Sequence, residues 1–240
     1  MINNLLAGFF ENIIKIFSNV KYLEMIFEGL KVTFIISLGA SLLGLILGTL
    51  VAMVKIVADA KKKSKVLKVI NFICDIYTTI VRGTPMALQL FIMAFVVFAI
   101  RGFPQEIVAI IAFGINSGAY VSENIRAGIM SVDKGQTEAG RALGLSGTRT
   151  MIGIVIPQGI KNVIPAIGNE LIALLKETSI ISMIGMFDLT QAAKVIGSGQ
   201  NLASFVAPMF VVALFYLAIV YLLTLGIAVI ERRLRSSDKR

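Results

Sequence analysis

Apolar residues in this chain run in long stretches broken by short clusters of charge, rather than alternating at a strand's period of two. Val32 to Val54 is 23 residues without a formal charge, enough for one helix across a hydrocarbon core of about 30 Å at roughly 1.5 Å per residue. Gly83 to Ile100 gives 18 uncharged residues, Ile107 to Ser122 gives 16, and Val195 to Ile230 gives 36, of which Phe205 to Ile230 is the apolar part. Asn162 to Phe187 has a helical, mostly apolar pattern that contains Glu170, Lys176 and Glu177. Such groups are costly in lipid unless they face protein or water. The pattern predicts an all-α membrane protein with five transmembrane helices.

Ahead of the first span, Phe9, Phe10, Ile13, Ile14, Ile16 and Phe17 cluster at helical spacing around Glu11, Asn12 and Lys15. Residues 1–20 are expected to form an interfacial amphipathic helix. No basic n-region precedes the apolar stretch and no A-x-A site follows it, so a cleaved signal is not expected.

Composition agrees with the pattern: 57% of residues are hydrophobic, 15% charged, and the mean hydropathy is +0.86. A soluble domain carries nearer a quarter charged residues. The net charge of +9 would raise the question of nucleic acid in a soluble chain; here it sets orientation, because cytoplasmic loops carry the excess of Lys and Arg. The first loop takes Lys55, Lys61, Lys62, Lys63, Lys65 and Lys68. The third takes Arg126, Lys134, Arg141, Arg149 and Lys161, and the tail Arg232, Arg233, Arg235, Lys239 and Arg240. Those sixteen lie on one side, against five on the other: Lys15, Lys21, Lys31, Arg101 and Lys194. The asymmetry predicts the N-terminus outside and the C-terminus in the cytoplasm. No nucleic acid partner is needed. Arg82 and Lys176 remain, in or near spans.

With one cysteine, Cys74, and no histidine, neither an internal disulfide nor imidazole-based catalysis is available. There is no G-x-x-x-x-G-K-[ST] phosphate loop.

The third loop is long for a connection between spans, and long loops are usually functional. Asp133 to Leu143 is predicted helical, Gly144 to Gly147 a turn, and Arg149 to Ile156 a second helix ended by Pro157. Small residues at Ala139, Gly140, Ala142 and Gly144 would admit another protein's backbone, with a carboxylate and Arg141 for polar contacts. Glu138-Ala139-Gly140, then Gly144, then nine residues, then Ile154-Val155-Ile156-Pro157 resembles the E-A-A-x-x-x-G-x9-I-x-L-P motif of ABC importer permeases. Gly140 stands where the second Ala is frequent, and Ile156 where Leu is. Arg82-Gly83-Thr84-Pro85, Ala119-Tyr120 with Glu123, Arg126-Ala127-Gly128, Asp133-Lys134-Gly135-Gln136, Asn169-Glu170, Leu175-Lys176-Glu177-Thr178-Ser179 and Glu231-Arg232-Arg233-Leu234 look like the polar amino acid permeases of that superfamily.

The resemblance implies a permease domain over residues 21–236 with a coupling loop at about 133–157, followed by a cytoplasmic tail at 237–240. Glu138, Ala139, Gly140, Arg141, Leu143 and Gly144 would dock on the ATPase. The implied partners are two cytoplasmic ABC ATPase subunits, an extracytoplasmic amino acid binding protein, a second permease chain (a homodimer or a heterodimer) and membrane lipid. No cofactor is expected on this chain, since ATP and magnesium would sit on the ATPase. The implied place is a prokaryotic cell membrane, and the chain would not itself be an enzyme.

For a zwitterionic substrate, Lys176, Glu177, Thr178 and Ser179 offer a cation, an anion and hydroxyls within one turn. Glu170 shares a face with Glu177, being seven residues away. Lys176 can instead pair with an acidic residue of a neighbouring helix merely to cross the bilayer. A second candidate is Arg82 with Thr84 and Gln89: Thr84 would cap, and Pro85 would begin, a half-helix whose N–H groups point at a carboxylate. Tyr120, with Asn116 and Ser117, would line the pathway. Glu123 and Arg126 are expected to form an i,i+3 salt bridge, and Asp188 to meet water. The rival readings are an ion-coupled secondary amino acid transporter, which usually carries an internal repeat, and a membrane enzyme or scaffold, which lacks a nucleophile–base pair here.

Overall fold

A computed structural model describes residues 2–60, 64–199 and 205–236, with side chains for most of these. Among them every regular element is helical. The helices are α1 (Ile2–Ser18), α2 (Val20–Ala60), α3 (Lys65–Gly83), α4 (Met86–Ile92), α5 (Gln105–Met130), α6 (Lys134–Ala142), α7 (Gly147–Thr150), α8 (Ile156–Glu177), α9 (Leu189–Gly197) and α10 (Val206–Ser236). Wide π-turns follow α4 and α7, at Met93–Val97 and Met151–Val155, and a tight 3₁₀ stretch, Thr178–Ile184, follows α8.

Three helical runs are each long and apolar enough to cross a membrane: α2, the continuous run from Gly147 to Ile184, and α10. Their outer faces are openly apolar; Leu217, Tyr221 and Leu222 of α10, for example, are each more than 60% exposed. Water would not tolerate so continuous an apolar surface, whereas lipid does. A fourth crossing is reached if α3 and the run Met86–Val97 count together, but the two are bent by 108°. The uncharged run Gly83 to Ile100 is therefore not the single span expected. Pro85 has no N–H and disfavours helical backbone in the residue before it, and Thr84 is extended (φ −120, ψ 147). The chain turns there, leaving 12 helical residues from Met86 to Val97, about 18 Å.

The expected span Ile107 to Ser122 lies within α5, which is about 39 Å long at 1.5 Å per residue but is not among the helices apolar enough to count as a crossing. It is the central helix. Val108, Ala109, Ala112, Phe113, Asn116, Ser117, Ala119, Val121 and Ser122 are all buried, mostly against α2. Glycine makes that packing close: a Cβ on Gly48 would lie 2.6 Å from Val121 Cγ1 and 2.8 Å from the Gly118 carbonyl oxygen. Small residues at helix contacts let dispersion act where no hydrophobic drive between helices exists.

Two apolar cores result. Ile36, Ala40, Leu90, Phe113, Leu174 and Ile181 join α2, α4, α5 and α8. Ile16, Ile26, Leu189, Ile196, Ala207 and Val211 join α1, α2, α9 and α10. In α1, Ile16 is fully buried while Phe10, Ile14 and Phe17 are exposed.

Three further expectations are corrected. Pro157 does not end a helix: it lies in the first turn of α8, where its missing N–H costs nothing, and the helix runs on through it after the π-turn. Lys55 is not a loop charge, because α2 continues to Ala60 and buries it to 6% exposure. Asp188 does not meet water; it is fully buried and caps α9, accepting hydrogen bonds from the Thr190 and Gln191 amides. Lys61, Lys62 and Lys63 and the 237–240 tail lie outside the described residues.

Gly48→Leu overpacks the α2–α5 contact and should cost about 1–3 kcal/mol, read as an earlier midpoint when the detergent-solubilised chain is unfolded by titration. Gly226→Leu, where a Cβ meets nothing within 4 Å, should leave the midpoint in place. Equal midpoints for both variants would contradict the close approach.

Candidate functional site

Membrane helices surrender charge reluctantly, so ionisable groups that remain inside have a partner or a task. Lys55 has three partners. Its ammonium donates to Thr78 Oγ1 at 2.9 Å and Glu123 Oε1 at 2.8 Å, and lies 3.0 Å from Asp75 Oδ1. Two hydrogen bonds and an ion pair from one lysine thus tie α2 to α3 and α5. Glu123 is shared, its Oε2 receiving Arg126 Nε at 3.1 Å and Nη2 at 2.9 Å. The expected Glu123–Arg126 bridge exists, but as one edge of a network. Removing Lys55 leaves Glu123 and Asp75 less compensated, but Asp75 and Arg126 reach solvent, so the cost falls below the about 3–5 kcal/mol of a fully buried set.

The network walls a cleft of about 610 Å³, lined by Lys55, Asp59, Asn71, Asp75, Thr78, Thr79, Arg82, Gly83, Glu123 and Arg126. Arg82 reaches it from the last turn of α3, about 25 Å of helix beyond Lys65. Its guanidinium lies over the Tyr120 ring, 5.4 Å from the centroid, a cation–π contact that orients the group while leaving its N–H fork available. Nothing in the local sequence flagged Lys55 or Asp75. Their only signal is position: Lys55 follows directly on an apolar run, and Asp75 shares a helix face with Thr78 and Arg82 at spacings of three and seven.

The broken corner at Thr84–Pro85 is built differently from expectation. Pro85, not Thr84, occupies the capping position of α4, without a side-chain cap. The Thr84 hydroxyl donates back to the Ile80 carbonyl. Gln89 Nε2 donates to Val81 O at 2.7 Å, to Thr84 O at 3.1 Å and to Thr84 Oγ1 at 2.7 Å, while its Oε1 accepts from Asn116 Nδ2 at 3.0 Å. Both residues brace the bend against α5, because the carbonyls freed by the break must find donors.

The other expected group lies apart from this cleft. Lys176 and Glu177 are exposed at the end of α8. Thr178 is buried, with its hydroxyl given to the Leu175 carbonyl at 2.7 Å, and the carbonyl of Ser179 accepts from Ser182 Oγ. Glu170 is half-buried on α8. None of these residues lines the cleft of Arg82.

On the loop between α5 and α8, Asp133 caps α6 by accepting from Gly135 N, and Ser146 caps α7 by accepting from Arg149 N. Between them Gly144 has φ +81, a left-handed turn suited to glycine. Leu145 N bonds Gly140 O and Gly144 N bonds Arg141 O, a helix stop of the Schellman kind. Leu143, at the tip, is 81% exposed. Glu138, Ala139 and Arg141 are exposed beside it, whereas Gly140 is buried: a Cβ there would lie 2.7 Å from Thr150 Cγ2. The small residue at 140 therefore closes the hairpin on itself rather than receiving another protein.

The family model described as "binding-protein-dependent transport system inner membrane component" matches residues 57–236. The chain is 38% identical to the arginine transport system permease protein ArtQ of Bacillus subtilis, over 92% of this chain and 97% of that one. It is 39% identical to the putative glutamine transport system permease protein GlnP of Rickettsia bellii, over 94% and 98%. Among solved structures, that of an amino acid ABC transporter with histidines superposes with a TM-score of 0.81 at 36% identity, over 90% of this chain and 97% of that one. An all-helical bundle with lipid-facing surfaces, matched along nearly its whole length, places this chain in the family of inner membrane components of binding-protein-dependent transport systems, as an integral membrane permease.

Proposed function

We propose that the chain is the permease subunit of an ABC importer for polar amino acids in a prokaryotic cell membrane, with the N-terminus outside, the C-terminus in the cytoplasm and five crossings. α1 lies in the outer interface, and residues 21–236 form the permease domain. Five crossings follow if α3 with its bent continuation is one and α5 is another. The observation that carries the reading is the α6–α7 hairpin within residues 133–157: self-capped, closed on its own Gly140, and presenting Leu143 from a rigid turn. An exposed leucine held so firmly is a knob for a partner's hollow. A cytoplasmic ATPase subunit supplies that hollow, two copies serve two permease chains, and an extracytoplasmic binding protein delivers the amino acid. ATP and magnesium stay on the ATPase.

Substrate passes Arg82, whose guanidinium takes the carboxylate, with Tyr120 beneath it and Thr84 and Gln89 keeping the corner in shape. Lys176, Glu177 and Glu170 of α8 form a second group that a paired permease chain would enclose, with Thr178 and Ser179 of the following 3₁₀ stretch shaping the end of the helix beneath them. The separation of the two groups favours successive contacts along a path over one compact site. An ion-coupled secondary transporter has no use for the hairpin.

In proteoliposomes holding this chain, its ATPase and its binding protein, uptake of a polar amino acid should require ATP; uptake that persists without ATP and follows an ion gradient would overturn the reading. Arg82→Met should lower uptake by about 10- to 100-fold, the loss of one charged hydrogen-bonding contact, with assembly intact. Lys176→Met and Glu177→Gln should each lower it less, and unchanged rates in all three would remove both groups from the pathway. Gly144→Asp forces a side chain into a left-handed turn and should strip the ATPase from membranes while the permease stays inserted, checked by co-purification. Full retention of the ATPase would dismiss the docking role.

A further inference from the structure

Lys55 is buried among three partners, and its location gives it a role beyond stability. Glu123, one of its acceptors, lies seven residues before Met130, where α5 ends and the hairpin begins. The hairpin's two stems are fastened there as well. A Cβ on Gly128 would lie 2.5 Å from Val163 Cγ2, and one on Gly159 would lie 3.0 Å from Ile129 Cα, so α5 and α8 cross in close contact. Asn162 Nδ2 donates to Ser131 Oγ at 2.9 Å, and Gln158 Nε2 to Gln136 Oε1 at 3.1 Å. The base of the hairpin is thus locked to α5 and α8, and Lys55 carries that lock on to α2 and α3, which bear the remaining walls of the cleft around Arg82.

We infer that Lys55 is a positioning residue that makes the inner ends of α2, α3 and α5 one rigid unit, so that a displacement of the hairpin reaches the cleft wall instead of dissipating at the end of α5. The inference rests on the hairpin being the ATPase-docking element. Rigid elements linked by buried ion pairs transmit displacement because packed interfaces deform little before they break. The side chains suit the task. Lys55 holds α3 through its hydrogen bond to Thr78 and its ion pair with Asp75, and the Thr78 hydroxyl is itself fixed by donating to the carbonyls of Cys74 and Asp75 one turn back, so α3 cannot slide along α2 without breaking both links together. Cys74, the only cysteine of the chain and buried in this seam, is a built-in reporter of whether the seam opens.

The test uses the complete transporter in proteoliposomes and reads ATP hydrolysed per amino acid imported. Lys55→Met should raise that ratio by about tenfold, with the ATPase still bound and hydrolysing, and Lys55→Arg should restore most of it. Thr78→Val, which removes one acceptor and leaves no charge unpaired, should shift the ratio in the same direction by about two- to threefold. It serves if Lys55→Met does not insert. Independently of uptake, a membrane-permeant maleimide should label Cys74 slowly in the wild type, both without nucleotide and with the ATPase trapped by vanadate, and about tenfold faster in Lys55→Met. A normal ratio in Lys55→Met, or wild-type Cys74 becoming reactive on trapping, would refute the rigid unit. Absence of ATP-dependent uptake in the wild type would count against the importer reading alone, since the labelling comparison would still decide whether Lys55 holds the seam.

Discussion

An ammonium group inside a lipid-embedded bundle must find all its hydrogen-bond acceptors within the protein, because hydrocarbon offers none. Lys55 meets that demand by drawing Asp75, Thr78 and Glu123 to one point, and the arrangement of the inner half of the molecule follows from it. The acceptors belong to two helices, so α3 and α5 must approach α2 at that depth. Close approach is possible because glycines line the α2–α5 contact. Once the helices meet there, the carboxylates that would otherwise repel one another are compensated, and the cleft beside them becomes a polar space with Arg82 at its far end.

The same rule shapes the bend between α3 and α4. A proline that breaks a helix inside a membrane frees carbonyl groups that water cannot reach, and Gln89 collects two of them with a single amide while bonding Asn116 with its oxygen. The corner is thereby stiff. Arg82, one residue from the last of α3, inherits that stiffness, and its contact with Tyr120 fixes the group further.

How much of this could be read beforehand depended on whether the signal was local. α2, α10 and the amphipathic α1 were visible as runs of apolar residues, since lipid imposes its length and polarity on each helix separately. The helix and turn of the hairpin are legible because caps and a positive-φ glycine are set by neighbouring residues: Asp133 and Ser146 cap, and Gly144 turns, close to where the expected helix from Asp133 to Leu143 begins and ends. The break at Pro85 was visible as a possibility, but its sharpness was not, because it depends on what α5 offers to brace it. Lys55 was misplaced for the same reason. A lysine at the end of an apolar run belongs to a loop unless carboxylates from elsewhere reach it, and residues 20 and 68 positions away in the chain supply them. Gly140 is the opposite case: its small size is legible in the sequence, but the group it makes room for, Thr150, lies across a turn whose geometry the sequence does not state. Arg82 and Lys176, paired in thought as the two charges left over from the topology, prove to sit in different surroundings.

The π-turn at Met151–Val155 is the join between the hairpin and α8. A π-turn holds one residue more than the α-turn it replaces, so it rotates everything after it by about 100° relative to an uninterrupted helix while adding little length. The phase of α8, meaning which of its residues face α5 and which face outward, is therefore set by that single extra residue and not by the hairpin's own register. In evolutionary terms, the docking end and the transport end of this continuous run can be re-phased by one insertion or deletion near residue 153. Relatives could then share a hairpin while turning a different face of α8 toward what they carry.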